Sequence, residues 1–149
     1  MIDISVLQQY SLLDGLEKEQ IEKILPLMEE ETFDAGTDII VEGKRSDKLR
    51  IILEGRVAVV KNSIILVELD KGDVFGEMEI LDVGPAEATI TSLAHTKVLS
   101  LSIDTLGEIF ELDLKIHSFL LMNLARDLSR RLRKMDGRVT HNSPLMDWN

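Results

Sequence analysis

The spacing of hydrophobic positions changes twice along the chain, and each change marks a switch in secondary structure. Over residues 12–30, Leu13, Leu16, Ile21, Ile24, Leu25 and Met28 follow a helical stripe. Glu17, Glu19 and Glu22 fall early in it, where acidic side chains favour a helix N-terminus. Asp14 is a candidate cap, Gly15 weakens that start, and Pro26 kinks or ends the regular part. From Glu31 to Ser102 the pattern turns to alternation and short β-branched runs, at 38–41, 49–53, 57–60 and 64–69, continuing at 88–91 and 97–101. Glycines at 36, 43, 55, 72 and 76 punctuate these runs, and Asn62-Ser63 reads as a tight hairpin turn. About eight short strands with glycine-containing turns predict a sandwich or small barrel.

After Ser102 the helical period returns. Ile103, Leu106, Ile109 and Phe110 form one short face, and a longer helix is expected over about 113–136. Its stripe of Leu121, Leu124, Leu128, Leu132 and Met135 is narrow, with Arg126, Arg130, Arg133 and Lys134 off it. Such a stripe packs on the domain or forms the seam of a homodimer. The seam is favoured, because a helix of roughly 34 Å overhangs a domain this small. Residues 137–149 are expected to be a poorly ordered tail, leaving one domain over 1–136.

Composition narrows the function classes. The chain has 149 residues, 44% hydrophobic, and a single domain of that size buries roughly 70% of its unfolded surface without staples. It has no cysteine, which excludes a disulfide scaffold, an iron–sulfur cluster on Cys ligands and a thiol nucleophile. No apolar run nears the ~20 residues of a membrane span, and Met1-Ile2-Asp3 starts no basic-then-apolar signal, so a cytoplasmic protein is expected. Seventeen basic against 27 acidic residues give a net charge of −10. Residues 126–138 hold six basic and two acidic side chains, a local +4, so the remainder carries −14. An acidic body with only six aromatics is a poor platform for nucleic acid.

The densest unusual stretch is Lys71-Gly72-Asp73-Val74-Phe75-Gly76-Glu77-Met78-Glu79-Ile80-Leu81, followed by a Pro85-Ala86-Glu87-Ala88-Thr89 ending. Two glycines before a helical run form a loop whose backbone approaches a ligand closely, with amides of a helix start aimed at it. This segment resembles the phosphate-binding cassette of cyclic-nucleotide-binding domains, as found in catabolite-activator regulators and protein kinase A regulatory subunits. Leu13-Asp14-Gly15-Leu16, Phe33-Asp34-Ala35-Gly36, Ile40-Val41-Glu42-Gly43 and Leu53-Glu54-Gly55-Arg56-Val57 follow that family's order and spacing. The resemblance spans roughly Leu12 to Met135. It implies a mainly β fold with flanking helices: an eight-stranded jelly-roll (double-stranded β-helix) barrel, an N-terminal helix and a long C-terminal one.

By the same resemblance the ligand site is Phe75, Gly76, Glu77, Met78, Ala86, Glu87, Ala88 and Thr89. Glu77 stands where the family's glutamate accepts from the ribose 2′-hydroxyl. Ala86 stands where the family places an arginine on the cyclic phosphate, and Glu87 follows at a position usually small. Losing a bidentate charge-assisted pair removes about 3–6 kcal/mol, or two to four decades of affinity. Between Lys71 and Lys97 there is no Lys or Arg, while Asp73, Glu77, Glu79, Asp82 and Glu87 are acidic. Cyclic nucleotide binding is therefore disfavoured, although Arg126 or Arg130 could reach the pocket mouth from the long helix.

Other constellations carry less. His95, His117 and His141 are too scattered for a clustered metal site, and His117 reads as a helix contact rather than the lone haem ligand of haem-sensing relatives. The cassette acids lack a calcium-loop spacing, and no Gly-x-Ser-x-Gly supports hydrolysis. About 14 residues follow Met135, too few for a helix-turn-helix unit, and basic residues ending a helix favour its own dipole. The expectation is a non-catalytic sensor module, homodimeric, acting on an effector protein, with no direct DNA or membrane contact. The alternatives are an interaction module with no small ligand and a sensor of a different ligand.

Overall fold

The computed structural model describes residues 2–76, 81 and 84–142, with side-chain surroundings through Lys134. A short helix α1 (Ile4–Leu7), capped by Asp3, opens the chain, followed by a 3-10 turn at Ser11–Leu13 and helix α2 (Lys18–Ile24). The single helix expected over 12–30 is thus broken. Gly15 lies at φ +84°, and a Cβ there would sit 2.9 Å from the Phe119 ring. The break bends the chain around that ring. The helix restarts at Glu17, whose amide is held by Gln20 Oε1 at 2.8 Å, rather than at Asp14. Pro26 falls in a second 3-10 turn, Leu25–Leu27.

Eight strands follow: β1 (Glu29–Phe33), β2 (Asp38–Ile40), β3 (Lys48–Glu54), β4 (Arg56–Lys61), β5 (Ile64–Asp70), β6 (Val74–Phe75), β7 (Thr89–Ser92) and β8 (Thr96–Ser102). Helices α3 (Ile103–Leu112) and α4 (Leu114–Asn142) complete the fold. The strands form two four-stranded antiparallel sheets, β1-β8-β3-β6 and β2-β7-β4-β5. The jelly-roll arrangement is as expected, but the barrel is not. Among the described residues no ladder joins an edge of one sheet to an edge of the other, so they form an open pair. Asn62 and Ser63 both take positive φ, 52° and 62°, as the hairpin between β4 and β5 requires.

The two inner strands of the first sheet, β3 and β8, are covered on both faces, which explains their largely buried runs. Leu49, Ile51, Leu99 and Leu101 pack with Leu12, Ile21, Ile109, Ile116 and Leu120 in a helical layer. Ile52 and Val98 point the other way, meeting Val57, Leu69, Phe75, Ala86 and Ile90 between the sheets. Arg50, also on this first sheet, is 8% exposed; its Nε donates to Glu31 Oε1 at 3.0 Å and its guanidinium lies over Phe33.

Helix α4 is set by Asp113, whose Oδ1 accepts from the amides of Lys115 and Ile116. It runs past residue 136 to Asn142, so its end lies beyond the expected boundary, and residues 143–149 of the expected tail lie outside the described residues.

Candidate functional site

The cassette is rooted in β6, whose Val74 and Phe75 pair with Ile51 and Arg50 of β3. Phe75 is 1% exposed between the sheets. At φ +89°, Gly76 passes so close to the Lys48 carbonyl that any Cβ would collide with it, and only glycine turns the chain there. Glu77 and Met78, together with Glu79 and Asp82, lie outside the described residues, as does the expected helix start.

The far wall is built by a loop distant in sequence. Ala86 donates its amide to the Lys44 carbonyl and accepts from the Gly43 amide, both at 2.8 Å, and Pro85 bridges Arg45. Ala86 is 3% exposed and packs in the core between the sheets. Ala88 is half-buried, and Thr89 Oγ1 accepts from the Glu42 amide at 3.0 Å as β7 begins. Glu87 turns outward: its side chain is 78% exposed and lies 3.6 Å from Lys61 Nζ. The cation-free stretch read from the sequence is therefore met in space by Lys44, Arg45 and Lys61, brought in by β-pairing of distant segments.

The long helix also reaches the cassette, through a residue that the sequence reading did not single out. Arg126 and Arg130 are exposed. Arg131 faces inward, donating from Nη2 to the Val74 carbonyl and lying 3.0 Å from Asp127 Oδ2. Below it, burial pushes the Asp73 carboxyl up, the Asp70 amide and the Arg131 charge pull against that, and the nearby Asp70 charge adds to the rise. Asp73 Oδ2 in turn holds the Asp70 amide at 2.9 Å. Ile116, Leu120, Leu124, Asp127 and Arg131 repeat at three- and four-residue steps. That inward stripe was the signal for Arg131.

Asn123 anchors the same helix further back. It is 2% exposed and donates to the Leu12 and Asp14 carbonyls at 2.7 and 2.9 Å. Of the expected seam, Leu124 is 1% exposed and belongs to its own domain's core. Leu121 and Leu132 are exposed, Leu128 is half-buried, and the Met135 side chain lies outside the described residues. His117 packs edge-on against Phe110, ring centroids 5.2 Å apart.

Comparison with known proteins bears on this geometry. A family model described as "Cyclic nucleotide-binding domain" matches residues 30–113. The chain is 30% identical over 131 residues to the cyclic AMP receptor protein of Thermus thermophilus, covering 84% of this chain and 58% of that protein. The chain spans 32% to 58% of the length of the first curated relatives it matches. A cyclic nucleotide-binding domain from Methylobacillus flagellatus shares the fold at TM-score 0.86 and 22% identity, over 98% of this chain and 84% of that one. A further neighbour is the regulatory subunit of a cAMP-independent protein kinase A from Trypanosoma brucei, a mutant bound to cAMP in its A site. It matches at TM-score 0.71 and 27% identity, over 83% of this chain and 45% of that one. That mutant carries glutamate to alanine and, seven positions on, threonine to arginine followed at once by valine to alanine.

Proposed function

Because the chain belongs to the cyclic nucleotide-binding domain family, we propose that it is a non-catalytic regulatory module of signal transduction. Its cassette takes a cyclic nucleotide weakly, and its long helix passes movement of the cassette to an effector protein in the cytoplasm. Among the described residues no helix is long and apolar enough to cross a membrane.

The observation that carries the reading is Ala86. It sits buried in the cassette wall with its backbone already paired, and offers a phosphate no cation. The Trypanosoma neighbour supports this, since its three substituted positions have the spacing of Glu79, Ala86 and Glu87 here. Glu87 contributes less repulsion than its position suggests, because its carboxylate faces Lys61 and solvent. Transmission rests on Arg131, which joins α4 to the carbonyl of the residue preceding Phe75-Gly76.

The module works as a homodimer through the outer face of α4. Leu114, Ser118, Leu121, Ala125, Leu128 and Leu132 repeat at alternating four- and three-residue steps, and all but half-buried Leu128 are exposed. That is the period of a two-helix seam, with Ala125 taking the place expected for the inward-facing Leu124.

Isothermal titration of cyclic AMP and cyclic GMP into the pure protein tests the ligand reading. The expected dissociation constant for cyclic AMP exceeds ~10 µM; a tighter value overturns weak binding. Mass spectrometry of small molecules released by heat identifies any other ligand. No binding of either nucleotide at millimolar concentration, with nothing released, leaves an interaction module instead.

A further inference from the structure

Two faces of α4 are already taken. Ile116, Leu120 and Leu124 pack into the domain and Arg131 reaches the cassette stem, while Leu121, Ala125, Leu128 and Leu132 form the proposed seam. At about 100° per residue, Met122, Arg126, Arg130 and Arg133 fall on a third face, roughly 120° from each of the others. All four are exposed, Met122 by 54%. In a chain with 27 acidic residues, Arg50, Arg56 and Arg131 each find a carboxylate. No described residue gives Arg126, Arg130 or Arg133 an ion pair or a hydrogen bond. Their neighbours at three- and four-residue steps are one another and Lys134, and like charges so placed work against a helix. The helix dipole does not account for them either. Arg126, Arg130 and Arg133 lie 16, 12 and 9 residues before Asn142, where α4 ends, and the field of a helix end fades within its last turn.

We infer that this third face is where the effector protein docks, through an acidic segment whose carboxylates meet Arg126, Arg130 and Arg133 and whose apolar side chain covers Met122. The inference rests on the reading of the chain as a regulatory module and names the chemistry of its partner. A guanidinium takes a carboxylate by two parallel bonds, and the flexible thioether of Met122 fits itself to the apolar side chain laid against it. Charge separates a short acidic segment from a long polyanion. The stripe from Arg126 to Arg133 is about 10 Å long, or two helical turns, and outside residues 126–138 the chain carries −14. That body repels a nucleic-acid duplex or an anionic membrane extending past the stripe, but acts little on a segment confined to α4, because charges about 10 Å apart are largely screened at 0.1 M salt. The position also suits transmission. Arg131, which ties α4 to the Val74 carbonyl, lies one residue past Arg130, so the cassette holds the same turn of helix that carries the stripe.

The probe is a fluorescein-labelled helical peptide with glutamates at four- and three-residue steps and one leucine a turn before the first, its anisotropy read against the full chain. Binding is expected, weakening as salt rises from ~50 to ~500 mM. Arg130→Glu should weaken it about tenfold or more, and Met122→Ala by a smaller factor. Lys18→Glu makes the same charge change at an exposed residue of α2 and should leave the affinity unmoved; equal weakening there assigns the binding to net charge and overturns the inference. So does the absence of peptide binding, or tighter binding of a short DNA duplex or of phosphatidylglycerol vesicles. Arg130→Gln should leave the melting temperature unchanged or raise it, since no contact within the chain is lost; a lower melting temperature makes Arg130 a structural residue and overturns the docking face. Cyclic AMP titrated into the wild-type chain separates this inference from the ligand reading. Weak nucleotide binding without peptide binding leaves the sensor and removes the docking face, whereas peptide binding without any nucleotide leaves the docking face and removes the sensor.

Discussion

Replacing Glu79, Ala86 and Glu87 together by Ala, Arg and Ala should convert the cassette into a tight cyclic AMP site. Ala86 is 3% exposed among Ile40, Ile52, Val57, Phe75 and Ile90. An arginine rooted there has its charge drawn partly out of water, and an uncompensated buried charge costs several kcal/mol. A cyclic phosphate forked by the guanidinium returns about 3–6 kcal/mol. Removing the two carboxylates relieves the field around the bound anion, although Glu87 already leans on Lys61, so its share is the smaller. The empty triple variant should therefore melt below wild type. Ligand at 100 times its dissociation constant should restore about 2.7 kcal/mol, or roughly 5–11 °C at 2–4 °C per kcal/mol for a domain of this size. Titration calorimetry should show affinity at least 100-fold above wild type. A triple variant that is folded by near-ultraviolet circular dichroism yet binds no better than wild type would refute the assignment of Ala86 as the missing phosphate contact.

Three further outcomes follow from the same contacts. Asn123→Ala strands the Leu12 and Asp14 carbonyls in a buried corner and should cost about 1–3 kcal/mol in denaturant unfolding. Arg131→Met keeps the aliphatic stem but frees the Val74 carbonyl and Asp127; hydrogen exchange should quicken at Val74–Phe75 while the sheet core keeps its protection. Burial alone would raise Glu31, but the Arg50 hydrogen bond and the Arg50 and Lys48 charges outweigh it and hold the carboxyl below its ordinary 4.5. A depressed carboxyl stabilises the fold above its unfolded pKa and loses that contribution as pH falls through the folded value. Glu31→Gln should therefore lower the melting temperature at neutral pH and narrow the difference from wild type below about pH 4.5.

What the chain disclosed, and what it hid, divides by the range of the interaction. Alternation and short β-branched apolar runs located six strands within two residues of their observed bounds, because strand character at those positions is written in the local sequence. The two strands without a run of their own were missed for a local reason. β1 reads Glu-Glu-Glu-Thr-Phe, and its Glu31↔Val98 pairing is made by a partner 67 residues on. β6 has only two residues. At the site, the family motif found Gly76 and Ala86, but no local pattern could place Lys44 against the Ala86 amide or turn Glu87 toward Lys61. Leu124 illustrates the opposite error. A stripe of leucines fits two faces of a helix equally well until the neighbours are known, and Ile116 and Leu120 draw it inward.

The same distinction bears on how the module would signal. Helix α4 is tied to the N-terminal turns at Asn123 and to the cassette stem at Arg131, eight residues or about 12 Å apart. The first tie is two neutral hydrogen bonds inside a packed core, 2% exposed. The second involves a half-buried arginine shared between a carbonyl and a carboxylate at the edge of a turn. Of the two, the second opens at lower cost, since solvent can replace its partners as they part. A ligand that shifted Gly76 and its neighbours would therefore act on the looser tie, and α4 would swing about the firmer one. The exposed residues beyond the pivot, Ser129, Arg130 and Leu132 through Lys134, would travel furthest. Leu132 among them belongs to the proposed seam, so movement at the cassette would change the dimer contact without passing through the sheet core.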